Sequence, residues 1–286
     1  NAALAQCLEL KDRVAILDVK DTGNCNTDAT NFRNSIGTKG ASYGAAYYPY
    51  IKSVYDREIN VYDIYKGLGL SDNELEDAQK YAVLSEPTEE STLFAKQLMS
   101  KPEYAKLVAK IQEQANLLPP SGAIAGIYCA NDNQRGVWHA PANMSVSGIS
   151  DINVRISDKQ QGELNEDTSG KCINAIRAFQ GKGILVWGAR TLDGLSSELK
   201  YISVRRFFNY VEESIQESTA WAVFQPNDAN TWVKVRCQIE NFLSNLWRDG
   251  ALAGSTPQEA FYVRVGINQT MTAQDILNGY MIVEIG

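Results

Sequence analysis

The sequence predicts an α/β fold: a mixed β-sheet core flanked by helices, with a mainly helical insertion lobe. Three observations carry that prediction. Ile184 to Trp187 is apolar without alternation, the pattern of a strand covered on both faces at the centre of a sheet. Val204, Phe207, Phe208, Val211 and Ile215 recur at helical spacing, while Arg205, Arg206, Asn209, Glu212, Glu213 and Glu217 take the opposite, charged side. Between residues 52 and 118 the texture changes to capped, helix-favouring segments. The chain has 286 residues, 44% of them hydrophobic, which is enough to bury a full core.

Taken in order, Asn1 to Leu10 reads as the end of a helix and Val14 to Leu17 as a buried strand. Thr27 or Asp28 caps a short helix reaching about Ser35, which Gly37 and Gly40 break. Ala41 to Ile51 is aromatic-rich and strand-like, with Pro49 at an edge or exit. In the next segment Ser71 with Glu74, and Ser100 with Glu103, have capping-box spacing, and Pro102 sits in the first turn of the second helix. Leu75, Ala78, Ala82 and Val83 form one apolar stripe, and Tyr104, Leu107, Val108 and Ile111 a stronger one. Pro119-Pro120 ends that helix and Ser121 caps another. Ile152, Val154 and Ile156 alternate as a half-buried strand, and Ser157 caps a short helix holding Gln160 and Gln161. Cys172 to Phe179 is the hairpin partner of Ile184 to Trp187. Tyr201 to Val204 and Ala220 to Phe224 read as further strands on either side of the amphipathic helix. Asp228 caps the longest helix, which carries Trp232, Val235, Ile239, Phe242 and Leu246 on one face and ends at Gly250. Phe261 to Val265 and Tyr280 to Ile285 are two last strands, separated by a short helix from Thr272 to Asn278 that Gly279 closes.

A net charge of -7 and a pI near 5.0 argue against a nucleic-acid or anionic-membrane surface, because both require clustered Lys and Arg. Apolar runs fall short of the roughly 20 residues that span a bilayer, and the first residues lack a signal pattern, so the chain reads as soluble. Five widely spaced cysteines with no C-x-x-C pair read as reduced, buried thiols. The start at Asn1 without a methionine, and the end at Gly286 directly after a strand, read as a segment of a longer protein.

Several stretches resemble one family. CLELKDRVAILD (residues 7–18), AAYYPYI (45–51), LPPSGAIAGIYCANDNQRGVWHAPAN (118–143), VWGARTL (186–192), VRRFFNYVEESI (204–215) and WAVFQPND (221–228) are similar to the core domain of contractile tail sheath proteins, the coats of phage tails, R-type bacteriocins and extracellular injection systems. The resemblance is weakest from Lys52 to Leu118. It implies a core domain of residues 1–51 and 119–286 with an outward-facing insertion at 52–118. It also implies a structural subunit, without cofactor, metal or catalytic residue, that polymerises helically around an inner tube and contracts to drive the tube through a target membrane. The implied partners are other sheath subunits in stacked six-fold rings, the inner tube protein, and baseplate and terminal cap proteins, with no nucleic acid and no direct membrane insertion. Assembly in the bacterial cytoplasm, then residence in a phage-tail-like particle that is released extracellularly, is the implied location. An inter-subunit sheet edge is expected at Phe261, Val263, Val265, Met281, Val283 and Ile285, where a terminal strand otherwise invites aggregation. A tube-facing helix is expected at Thr272, Gln274, Asp275 and Asn278.

Two rival readings stand beside it: a non-contractile structural module and an α/β hydrolase. The hydrolase rests on Gly40-Ala-Ser42-Tyr-Gly44, which fits G-x-S-x-G, with His139 as the sole histidine and Asp132 as third member. A nucleophile elbow requires an apolar strand before the serine and a helix after it; here Asn34 to Lys39 is polar and a strand-like run follows. The cysteines lack metal-ligand spacing, and Glu212 and Glu213 are adjacent on a helix and so diverge.

Overall fold

A computed structural model describes residues 1–55 and 102–286. The sheet is organised around β2 (Gly44–Tyr48), whose five residues are all buried. It pairs in parallel with β1 (Ala15–Asp18) on one side and with β7 (Ile173–Phe179) on the other. Strand β8 (Gly183–Trp187) runs antiparallel to β7, and the two-residue β5 (Met144–Ser145) completes the order β1-β2-β7-β8-β5. The doubly covered strand is therefore β2, not Ile184 to Trp187. Strand β8 lies one place from the edge, and Trp187 at its end is exposed.

Both faces of β2 are packed because its side chains alternate between two apolar layers. Ala46 and Tyr48 join Leu4 and Cys7 of α1 (Ala2–Leu10), Cys25 and Ala29 of α2 (Cys25–Ser35), and Leu164 of α5 (Asp158–Asn165). Ala45 and Tyr47 join Ile124, Ile127 and Tyr128 of α4 (Ser121–Arg135) and Ile202, the first residue of α6 (Ile202–Ser218). Two buried polar groups beside β2 are tied down by hydrogen bonds, as burial requires. Asp28 accepts from the Thr22 N–H at 2.9 Å and from the Tyr48 hydroxyl at 3.1 Å. Asn174 donates to the carbonyls of Ala46 and Arg190 and accepts from the Arg190 N–H at 2.7 Å.

Several local expectations shift. Asn24 caps α2 through the Thr27 N–H, and Asp28 lies inside the helix as a buried anchor. Helix α4 starts at Ser121, whose N–H donates to Asp18 rather than its side chain capping the helix. Ala41 to Tyr43 is a 3-10 turn, not strand, and the strand near Ile152 is β6 (Ile149–Ile152), ending before Val154. Tyr201 is only an isolated bridge partner of Arg190, and α6 begins at the next residue. Ala220–Ala222 is a 3-10 turn, because Pro226 and Asn227 follow too closely for a strand. Cys129 and Cys237 are exposed, whereas Cys7, Cys25 and Cys172 are buried.

The faces of α6 also differ from the periodic reading. Arg205 and Asn209 are buried and Phe208 is exposed. The Arg205 guanidinium stacks on Tyr43 at 4.6 Å, its Nε donates to Asn209 at 2.8 Å and its Nη2 lies 3.6 Å from a Glu212 carboxylate oxygen, so a ring, an amide and a carboxylate replace the water a cation normally needs. The opposite stripe of Phe207, Val211 and Ile215 packs on α7 (Ala229–Arg248) around Val235, Ile239, Leu243 and Leu246. Helix α7 is capped by Asp228, which accepts from the Thr231 N–H at 3.0 Å.

At the base of the insertion, β3 (Ile51–Ser53) pairs antiparallel with both β4 (Leu117–Leu118) and β6. Helix α3 (Pro102–Ala115) leads into β4 and carries Tyr104, Leu107, Val108 and Ile111. Ser71, Glu74, Ser100 and the Leu75, Ala78, Ala82, Val83 stripe lie outside the described residues. No helix of the described residues is long and apolar enough to cross a membrane.

Candidate assembly surface

The C-terminal part forms a ribbon apart from the five-stranded sheet. Strand β9 (Val263–Arg264) pairs antiparallel with β10 (Glu284–Ile285), in the register Arg264 to Glu284 and Val263 to Ile285. The Tyr262 N–H donates to the Gly286 carbonyl at 2.6 Å, and the Gly286 N–H donates back to Tyr262 at 3.2 Å. In an antiparallel ladder only alternate pairs exchange hydrogen bonds. Tyr262 with Gly286 is such a pair, so Val263 and Ile285 turn their N–H and C=O groups outward, to the two long edges of the ribbon. Val283, two residues before Ile285, has the same outward sense. Among the described residues no third strand covers either edge.

The six residues expected at a sheet edge gather here, with shorter strands than the sequence suggests. Phe261, Val263, Met281 and Val283 pack on the α7 cluster. Val265 is buried, 5% exposed, and Ile285 is 37% exposed at the chain end. The side chains of Val263 and Val283 thus anchor the ribbon to the core, while the backbone of the same two residues faces its edges. Between the strands lies α9 (Ala273–Leu277), the ninth helix of the described residues after the short α8 (Pro257–Ala260). Thr272 and Asp275 form a reciprocal cap: the Asp275 carboxylate accepts from the Thr272 N–H at 2.8 Å, and the Asp275 N–H donates to the Thr272 hydroxyl oxygen at 3.2 Å. Hydrogen bonding from Thr272 holds the Asp275 carboxyl below its ordinary range. Gln274 donates to Asn278 at 3.1 Å, so the four residues form one polar turn. Leu277 beside them is 80% exposed.

Sequence reasoning missed the turn at Val223 and Phe224, which project into solvent. Reading Ala220 to Phe224 as a strand hid them; the Pro226-Asn227-Asp228 turn and cap signal directly after is what marks the segment as a connection.

The hydrolase constellation does not assemble. Ser42 lies in the 3-10 turn before β2, so a strand follows it and no strand feeds it. Asp132 is paired with Arg206. His139 is exposed, and its carbonyl accepts from Asn131 at 2.9 Å. The glycines of the pattern serve packing instead. A Cβ on Gly40, which has φ 74, would meet the Leu4 carbonyl oxygen at 2.6 Å, and one on Gly44 would meet the Leu4 side chain at 2.5 Å. Both glycines let α1 lie directly on the start of β2.

An α/β core thus carries a separate two-stranded ribbon whose edges no described strand covers. The chain is similar to contractile tail sheath proteins in sequence and in fold. The phage tail sheath C-terminal domain matches residues 196–278. The tail sheath protein of Vibrio phage KVP40 is 26% identical over 138 residues, which are 48% of this chain and 20% of the phage protein. The tail sheath protein of Enterobacteria phage T4 is 25% identical over 126 residues, 44% of this chain and 19% of that one. Among solved structures, a chain of the anti-feeding prophage baseplate superposes with a TM-score of 0.67 at 31% identity, covering 99% of this chain and 58% of its own. A chain of the PVC sheath complex of an extracellular contractile injection system, in the contracted state, gives 0.69 at 31% identity, covering 95% and 59%. The chain therefore spans less than two thirds of these relatives.

Proposed function

We propose that this chain is a structural subunit of a contractile sheath, which polymerises helically around an inner tube and contracts to drive that tube through a target membrane. The observation that carries this reading is the likeness to a contracted sheath subunit over 95% of the chain at 31% identity. It is not an enzyme: contraction turns over no cofactor, and its free energy is stored in subunit contacts at assembly.

In this reading the outward backbone groups of Val263, Val283 and Ile285 accept strands from neighbouring copies, as in β-augmentation. The polar turn of Thr272, Gln274, Asp275 and Asn278 faces the inner tube, and the 52–118 lobe faces outward. The partners are like subunits in six-fold rings stacked helically, the tube protein, and baseplate and terminal cap proteins. Neither nucleic acid nor direct membrane insertion belongs to the mechanism, in keeping with the net charge of -7. The subunit assembles in the bacterial cytoplasm and then resides in a phage-tail-like particle released from the cell. Negative-stain images of particles purified from the producing cell test the proposal: striated tubes in long and short forms are expected, and uncoated tubes or none would sink it.

A further inference from the structure

Phe224 has its side chain wholly exposed, at 101%, and its backbone in the left-handed region at φ 66. A bulky residue with that φ is an outlier, and such strain persists only where the surroundings impose it. Here they do. On one side Ala222 packs on the α7 cluster, and the Trp221 indole donates to Gln238 at 2.7 Å. On the other side Asn227 accepts from the Trp232 indole at 2.7 Å and donates to the Tyr280 carbonyl at 2.8 Å. The turn is thus clamped at both ends, and Val223, 62% exposed, and Phe224 stand out from it as a rigid apolar knob.

We propose that a second copy of this chain buries this knob, as part of the contact it makes along the outer edge of β10. The inference rests on the sheath reading above. Two observations favour a second copy as the occupant. The Asn227 to Tyr280 bond ties the turn to the segment that runs into Val283 and Ile285, so the knob is tethered to the open edge. The solved chains that match 95–99% of this one belong to a baseplate and a sheath complex, where like subunits meet. A knob that no described residue of its own chain receives, once seated on a second copy, makes a head-to-tail contact, and repeated head-to-tail contacts generate open helices.

The test uses the whole protein with Phe224→p-benzoylphenylalanine, assembled and irradiated. The expected product is a covalent dimer of sheath subunits. Striated sheaths that form with no such product, or with a product to the tube protein, overturn the inference while leaving the sheath reading intact; failure to form sheaths at all in the unmodified protein is the failure of that reading. Phe224→Asn, which tolerates the left-handed backbone, keeps the turn and removes the apolar surface. It is expected to leave the melting temperature of the unassembled chain unchanged or higher and to raise the concentration needed for assembly about tenfold or more, the value of burying one phenylalanine. Assembly at the unmodified concentration overturns the proposal. Restored assembly with Phe224→Trp supports it.

Discussion

Arg206 on α6 grips both carboxylate oxygens of Asp132 on α4, while its guanidinium lies over the Tyr128 ring at 4.5 Å. The pair joins the amphipathic helix to the helix that covers β2, and its two side chains are 13% and 33% exposed. A two-pronged pair of that burial is a real fastening between elements, unlike an exposed ion pair.

Asp132→Asn should lower the unfolding free energy by about 1–3 kcal/mol, since it leaves a mostly buried guanidinium short of its charged partner. Urea titration should show a lower midpoint with an unchanged slope. Arg206→Lys should fail to substitute, because an ammonium cannot make the fork. A midpoint equal to that of the unmodified chain would show the pair to be ornamental.

Because Asp132 is held by Arg206, it does not orient His139, and Ser42 lacks the strand-turn-helix setting of an activated nucleophile. A fluorophosphonate probe should therefore leave Ser42 unlabelled, and Ser42→Ala should assemble normally. Labelling at Ser42 that His139→Ala abolishes would establish the opposite.

Val283→Pro removes a donor that points away from β9, so the ladder between Tyr262 and Gly286 and the pairing of Arg264 with Glu284 should survive. Circular dichroism of the unassembled variant should match the unmodified chain, and long sheaths should be absent from electron micrographs. Full-length contractile sheaths from this variant would refute the edge assignment.

The insertion can be tested without disturbing its base. Since β3 and β4 pair directly and the Ser53 N–H donates to the Asn116 carbonyl at 2.8 Å, a Gly/Ser linker should replace only residues 55–115. Coating of tubes and contraction are expected to persist. Loss of both in a well-folded deletion would place the lobe within the machine and not on its outside.

Local chemistry was legible from residues alone. The Asp228 cap of α7 and the Ser157 cap of α5 occur where the residues place them, because a cap joins residues three apart; the reciprocal Thr272 and Asp275 box of α9 went unread. The two last strands were legible in part, since apolar alternation marks an anchored strand. They were read as too long because the alternation continues past the last paired residue.

What the sequence by itself determined is the α/β class, the order of the long helices and the family resemblance, all of which depend on periods and motifs within short windows. Only the tertiary structure decided that β2, and not β8, is covered on both faces, that Arg205 is buried while Phe208 is not, and that Phe224 stands free. Each of these depends on what lies across space: α1 and α4 on the two faces of β2, the Tyr43 ring beside Arg205, and the Asn227 to Tyr280 bond that holds the turn. A helical or strand period says that one side of an element differs from the other; which neighbour meets that side, and whether an aromatic ring stands in for water there, is set by packing between residues far apart in the chain.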